Sequence, residues 1–347
     1  MKKGITAILV IAMILTVVFS KDIIENIRQT IDLCIYTLTP SLFPFLVISK
    51  MTMLSGCAGY IGRLCHPVTS RLFSLSENGS FLFLIGIICG YPVGAKSVAD
   101  MIKDKEITVS EGERLILFCN NSGPLFVIGA VGYGMFFSTE YGIILYISHI
   151  LSAMVIGIFM RKKVISDGII KHSKNQPYFT KAVEESIFTV INISAYVIFF
   201  ASVCAIINNI LPNSLNIIKF IICSSLEVTG GIKNLSLMTN LTIRSKLIIT
   251  SFLIGFGGIC IIMQTKGVIS GSGLKIYPYI CAKICQGAMS SIFTSVFLHF
   301  IPVKVITYTH YPKINMTTIL LIISLVVMCI YFFKLSIKRN INHHNRI

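Results

Sequence analysis

Residues Leu115 to Tyr133 read LILFCNNSGPLFVIGAVGY, and this stretch decides the fold. It is long and apolar enough to cross a bilayer, which takes about 20 mostly apolar residues. Its middle, however, is Asn120-Asn121-Ser122-Gly123-Pro124. Pro124 removes a backbone N–H and clashes one turn back, and Gly123 adds slack. Two amides and a hydroxyl stand where hydrocarbon penalises unpaired polar groups. Such a break survives at membrane depth only when it is buried in protein or lines a wet cavity. Broken helices of this kind build the midplane sites of transporters.

Composition agrees with a membrane setting. Of 347 residues, 54% are hydrophobic and 13% charged, and the mean hydropathy is +0.81. A soluble domain carries about twice that share of charge. The lipid bilayer is therefore the first partner. The net charge of +16 reports the Lys and Arg that collect in cytoplasmic loops, not nucleic-acid binding, for which no stacking-plus-basic motif is present. The 11 cysteines are scattered through apolar runs without a CxxC pair. Neither they nor the seven histidines show metal-ligand spacing, so no metal and no cofactor is expected.

Outward from the break, the apolar runs give an all-α polytopic protein. Two readings of Met1 to Ser20 are open. One is an uncleaved first span with Lys2 and Lys3 inside; the other is a signal peptide cut near Val18-Phe19-Ser20. Lys21 to Arg28 reads as a polar link, and Thr30 to Met53 as a span kinked by Pro40 and Pro44. Gly56 to Asn78, with Arg63, His66, Pro67 and Arg71, is too polar to cross and belongs at the interface. Phe81 to Met101 is apolar only as far as Cys89, before Gly90-Tyr91-Pro92-Val93-Gly94. That pattern predicts a re-entrant hairpin with its tip at Tyr91-Pro92, and Gly94 allows its arms to pack closely. Tyr141 to Met160 is a span. Arg161 to Lys181 is the most basic loop and the anchor for the cytoplasmic side.

The second half offers spans at Ser186 to Leu211, Tyr277 to Phe300 and Ile314 to Phe333. Lys246 to Ser270 is apolar but broken at Gly255-Phe256-Gly257-Gly258, which reads as a second hairpin tip. Leu215 to Leu237 is ambiguous, because Glu227, Gly230, Gly231 and Lys233 interrupt it. Phe83-Leu84-Ile85-Gly86 and Phe252-Leu253-Ile254-Gly255 carry the same letters ahead of a glycine break. They point to two repeats of one plan, span, polar piece, hairpin, span, span. The expected organisation is an N-terminal helix over 1–24, a first repeat over 25–160, a basic linker over 161–181, a second repeat over 182–334 and a basic tail over 335–347. If 215–237 does not cross, the repeats are inverted. If it crosses, they are parallel and the tail lies inside.

The motifs GYPVGAK at Gly90 to Lys96, CNNSGPLFVIGAVG at Cys119 to Gly132, LEVTGG at Leu226 to Gly231 and GFGG with Gln264 resemble those of the YlbJ family of sporulation integral membrane proteins. The likeness runs from about Glu25 to about Phe333. It implies nucleoside recognition or Gate domains, a fold like the core of the concentrative nucleoside transporters, and a role in spore cortex formation and spore resistance. The family pattern has a Ser shortly after GFGG; this chain carries Cys260 there, so no hydroxyl is expected at that point.

The residues expected at a substrate site are Tyr91, Pro92 and Gly94 of the first tip, Asn120, Asn121, Ser122, Gly123 and Pro124 of the break, and Gly257, Gly258 and Gln264 of the second. Glu227 joins them as an ionisable group near the membrane; an interfacial acid in water is the other reading of it. Gln264 and Gln286 either bind a ligand or hold helices together. Accounting for backbone groups freed at three breaks predicts that they meet in one cavity, where a small polar solute is moved or sensed. No nucleophile elbow, P-loop or HExxH is present, so the chain reads as no enzyme. A structural or assembly component of a spore membrane complex is the rival, with a second copy of the chain or other spore membrane proteins as partners.

Overall fold

The fold comes from a computed structural model, which describes residues 2–55, 57–162 and 178–300. The expected span at 314–333, the basic tail and most of the basic linker lie outside the described residues. Among the described residues every regular element is helical. Four of the described helices are long and apolar enough to cross a membrane: Thr139–Phe159, Phe179–Ile210, Ile243–Val268 and Ile276–Phe300. The protein is an integral, multi-pass membrane protein.

Helix α1 (Lys2–Val18) is followed directly by α2 (Ser20–Leu33). The polar link expected at Lys21 to Arg28 is therefore helical. Its charged and apolar residues segregate to opposite faces, and Ile23 is buried, as an amphipathic pattern requires. A wide, π-type turn (Cys34–Leu38) leads into α3 (Thr39–Leu54), which holds Pro44 in its interior. The widening falls just ahead of Pro40, which can supply no N–H to the ladder. Both α2 and α3 pack on α9 (Tyr178–Ile210).

Helix α4 (Cys57–Phe73) meets α5 (Glu77–Cys89) at 92°, so the polar piece lies across the apolar one, as its composition requires. Ser76 caps α5 by accepting from Gly79 N at 3.0 Å. The chain then turns at Gly90, whose φ is +78°, and at a cis Tyr91-Pro92 bond. It returns as α6 (Val93–Lys103). A Cβ on Gly94 would lie 3.1 Å from the Cα of Gly86. These two residues are equidistant from Gly90, so α5 and α6 form the expected hairpin.

Helix α7 (Val109–Cys119) stops at Asn120. Residues 121–123 are not helical, and a π-type helix resumes over Leu125–Met135. Helix α8 (Thr139–Phe159), capped by Ser138, completes the first half.

The second half corrects one expectation. Helices α10 (Asn216–Leu226) and α11 (Val228–Leu237) are parted by Glu227 alone. A Cβ on Gly231 would lie 2.7 Å from the Cα of Ser224. Residues seven apart in a straight helix are about 10 Å apart, so the chain reverses at Glu227, and the ambiguous stretch 215–237 is the second hairpin. The Gly255 to Gly258 segment is not a tip. Helices α12 (Ile243–Phe256) and α13 (Gly258–Val268) continue as one span through Gly257 (φ +81°) and Gly258 (φ +75°). Positive φ at two successive glycines unwinds one turn there without reversing the chain. Helix α14 (Ile276–Phe300) follows.

Each half thus runs hairpin, broken span, whole span: α5–α6, α7 with Leu125–Met135, α8, and then α10–α11, α12–α13, α14. The shared letters Phe-Leu-Ile-Gly do not correspond in this order. Phe83 to Gly86 lies on a hairpin arm, and Phe252 to Gly255 on the first half of a broken span. Glycines let these elements approach. A Cβ on Gly255 would lie 2.6 Å from the Cα of Gly287, where α12 meets α14. Beside the first hairpin, the rings of Phe73, Phe83 and Phe118 cluster with centroids 4.9, 5.3 and 5.6 Å apart.

Lys162 stands at the start of the basic loop. A cysteine in its place is expected to resist impermeant thiol reagents added to intact cells and to react once the membrane is opened. Labelling from outside would reverse the orientation drawn from that loop.

Candidate functional site

Both hairpin tips and both helix breaks come together. A Cβ on Gly90 would lie 2.8 Å from Gly123 N, so the first tip rests on the first break. A Cβ on Gly258 would lie 2.9 Å from Val228 Cγ2 and 3.1 Å from Ser225 O, so the second break rests on the second tip. Between these two joints is a cavity of about 50 Å³. Gly90, Tyr91 and Gly123 line it from the first half, and Glu227, Thr229, Cys260, Ile261 and Gln264 from the second. Leu38, Leu42, Phe126, Ile193 and Val197 add apolar wall. One water needs about 10–15 Å³ of such space, so the cavity has room for a few waters.

Its polar groups are few and held in place. Glu227 is buried and caps α11, accepting from Thr229 N at 2.7 Å and Gly230 N at 2.6 Å, the usual use of an acid at a helix start. Tyr91 accepts at its hydroxyl from Ser122 Oγ at 3.0 Å. Gln264 donates weakly to Cys260 Sγ at 3.4 Å, and its buried Oε1 meets no donor among the described residues. A buried amide oxygen without a donor costs about 1–3 kcal/mol, which a polar guest would recover.

Asn120 and Asn121 are fully buried but face away from the cavity. Asn120 Oδ1 accepts from Ala95 N at 3.3 Å, and its Nδ2 donates to Thr265 Oγ1 at 3.1 Å and to the Tyr279 hydroxyl at 2.8 Å. Asn121 Nδ2 donates to Phe118 O at 2.7 Å, and its Oδ1 accepts from Gln286 Nε2 at 2.9 Å. Ser122 N donates to His149 Nε2 at 3.0 Å. The break is therefore wired to α6, α8, α13 and α14. Pro124 begins the helix that resumes after it. Gly94 packs its Cα face against Gly86 and Cys119 O, and Gly257 shapes the second break without lining the cavity. Gln286 belongs to this network and not to the cavity wall.

Sequence reasoning gave Lys283 and His149 no role, yet both are buried within this network. For Lys283 a signal existed: a lone ammonium inside an apolar span marks a functional position by default. A second, larger cleft of about 330 Å³ lies on the other side of the first tip. Pro92 and Val93 line it, with Lys50, Lys96 and Glu185. Lys50 Nζ pairs with Glu185 at 2.6 Å, and Lys96 Nζ lies 3.8 Å from the same carboxylate oxygen.

No family model matches the chain. A curated relative, the sporulation integral membrane protein YlbJ of Bacillus subtilis (strain 168), is 27% identical over 297 residues, covering 73% of this chain and 72% of that protein. Among solved structures, an asparagine-to-leucine variant of CNTnw in its intermediate 3 state, a concentrative nucleoside transporter, superposes with a TM-score of 0.53. It is 14% identical, and the superposition covers 88% of this chain and 86% of that one. The fold is thus that of the nucleoside-transporter core, and the motifs read from the sequence carry a real resemblance to the YlbJ family of sporulation integral membrane proteins.

Proposed function

We propose that this chain is a sporulation membrane protein that moves or senses a small polar solute at the cavity between its two hairpin tips. One observation carries the reading: two tips and two helix breaks converge on a cavity that holds a buried acid, Glu227, and an amide oxygen, that of Gln264, with no donor among the described residues. Polar groups at membrane depth mark solute paths. The name of the Bacillus relative supports a role in spore formation, and we take it to be needed for the spore cortex and spore resistance. In this reading the chain is no enzyme and works in a membrane of the spore-forming cell. Because the cavity has room for only a few waters, a larger solute enters by displacement of a tip. Tyr91 is the group that must move, since it lines the cavity and Pro92 lines the outer cleft.

A structural or assembly role is the second reading, favoured by the complete internal pairing of Asn120 and Asn121. Gln264→Leu and Glu227→Gln separate the two. Each roughly keeps side-chain volume, and an amide at 227 keeps one oxygen, enough for one of the Thr229 and Gly230 amides. In an endospore-forming host carrying only the variant chain, normal protein level with heat-resistant spores reduced at least as far as in the deletion strain supports the solute site. Normal level with wild-type spore counts for both variants overturns it in favour of assembly.

A further inference from the structure

Lys283 is 2% exposed, two turns into α14. No carboxylate among the described residues pairs with it, unlike Lys50 and Lys96, which face Glu185. Its ammonium donates instead to three oxygens. One is the main-chain carbonyl of Asn120. The second is Gln286 Oε1 at 2.7 Å, and the third is Asn121 Oδ1 at 3.4 Å. The face of the Tyr279 ring lies 5.5 Å away.

Each oxygen is there for a reason. The Asn120 carbonyl is free because α7 ends at Cys119 and the next residues are not helical. Carbonyls at a helix C-terminus carry the negative end of the helix dipole. Gln286 is turned with its oxygen toward Lys283, because its Nε2 donates to Asn121 Oδ1 at 2.9 Å and to His149 O at 3.3 Å. A buried cation without a counter-anion is costly unless oxygens replace its water. Neutral oxygens from an unwound helix are the ligands that membrane proteins use for dehydrated monovalent cations.

We propose that Asn120 O, Asn121 Oδ1 and Gln286 Oε1 form a monovalent-cation cage whose occupant is the chain's own Lys283 ammonium. The break after α7 is then neutralised from within, and no soluble alkali ion is required there. The cage stands whether or not a solute crosses the membrane, so failure here leaves the solute reading intact.

The test is thermal unfolding of the purified full chain in sodium or potassium chloride against choline chloride at matched ionic strength. The wild type is expected to melt at the same temperature in all three. Lys283→Ala is expected to melt several degrees lower in choline and to recover part of that loss, saturably, with Na⁺ or K⁺. A saturable alkali-ion shift in the wild type overturns the proposal, as does a lowered Lys283→Ala that ignores every alkali ion. If Lys283→Ala cannot be recovered folded, Lys283→Met and Lys283→Arg decide. Methionine at wild-type level and stability overturns the need for a charge; loss with methionine and retention with arginine supports it.

Discussion

Replacing Asn120 by Leu is expected to cost about 2–4 kcal/mol and to leave little folded protein in the membrane. The side chain is fully buried and makes three connections, to Ala95 N, Thr265 Oγ1 and the Tyr279 hydroxyl. Leucine has as many side-chain heavy atoms and a larger volume, so the loss comes from stranding those groups, with some overpacking, and not from a void. Polar contacts between whole transmembrane helices average only about 0.6 kcal/mol, because the separated helices find other partners. The Asn120 contacts belong to the larger class, since Ala95 N lies in the first turn of α6, where the helix gives its amides no internal acceptor. Thermal unfolding in detergent and the membrane-bound protein level both read the effect. Wild-type values in both would mean that the network is incidental to the break. Asn120→Asp keeps the oxygen toward Ala95 and is expected to fall between the two.

Gly86→Val is expected to be more damaging still. A Cβ at this position would fall on the carbonyl oxygen of Cys119, within bonding distance of the main chain. Backbone cannot swing aside as a flexible side chain can, so α5 and α7 must separate. The penalty is expected at or above the upper end of the roughly 1–3 kcal/mol usual for overpacking. Because the carbonyl struck is the last before the break, the disturbance reaches Asn120 directly. Gly129, in the π-type helix, has nothing within 4 Å of the point where a Cβ would stand, and its φ is ordinary. Gly129→Ala is therefore the control and is expected to be accumulated normally. Equal amounts of the two variants in the membrane fraction would show that α5 and α7 are not in contact as described.

The parts of this fold legible in the sequence are those where composition and backbone chemistry agree. Pro124 after Gly123, inside a stretch long enough to cross, and Tyr91-Pro92 after Gly90, behind an apolar run too short to cross alone, gave the break and the hairpin that are present. Glu227 was harder. An acid inside an apolar run reads as a poor span, but the same acid caps a helix that begins at the turn of a hairpin. The Gly255 to Gly258 segment misled because left-handed glycines serve a reversal and a through-going break alike. Of the expected site, Tyr91, Gly123, Glu227 and Gln264 line the cavity, since polar groups among apolar neighbours are conspicuous. The aim of Asn120 and Asn121, away from it, was not legible. It depends on Tyr279, Lys283 and Gln286, which lie about as far along the chain as half its length.

The joint between Gly90 and Gly123 carries a consequence for local opening. Two glycines meet there with no side chain on either, so the joint itself contributes little apolar surface, and what is exposed on parting comes from the flanking Cys89 and Val93. Elsewhere the first arm of this hairpin is anchored by Phe83, whose ring packs on Phe73 of α4 and Phe118 of α7, and exposing that cluster would be expensive. The hydroxyl pair of Tyr91 and Ser122 is one directional tie on the tip and the Ala95 to Asn120 bond just behind it a second; a single neutral tie is worth only about 1 kcal/mol. Stability is therefore distributed unevenly along one short hairpin. Opening at the tip is expected to cost less than unfolding the bundle, with the Tyr91–Ser122 hydroxyls, the Ala95 to Asn120 bond and the burial of Cys89 and Val93 setting that cost.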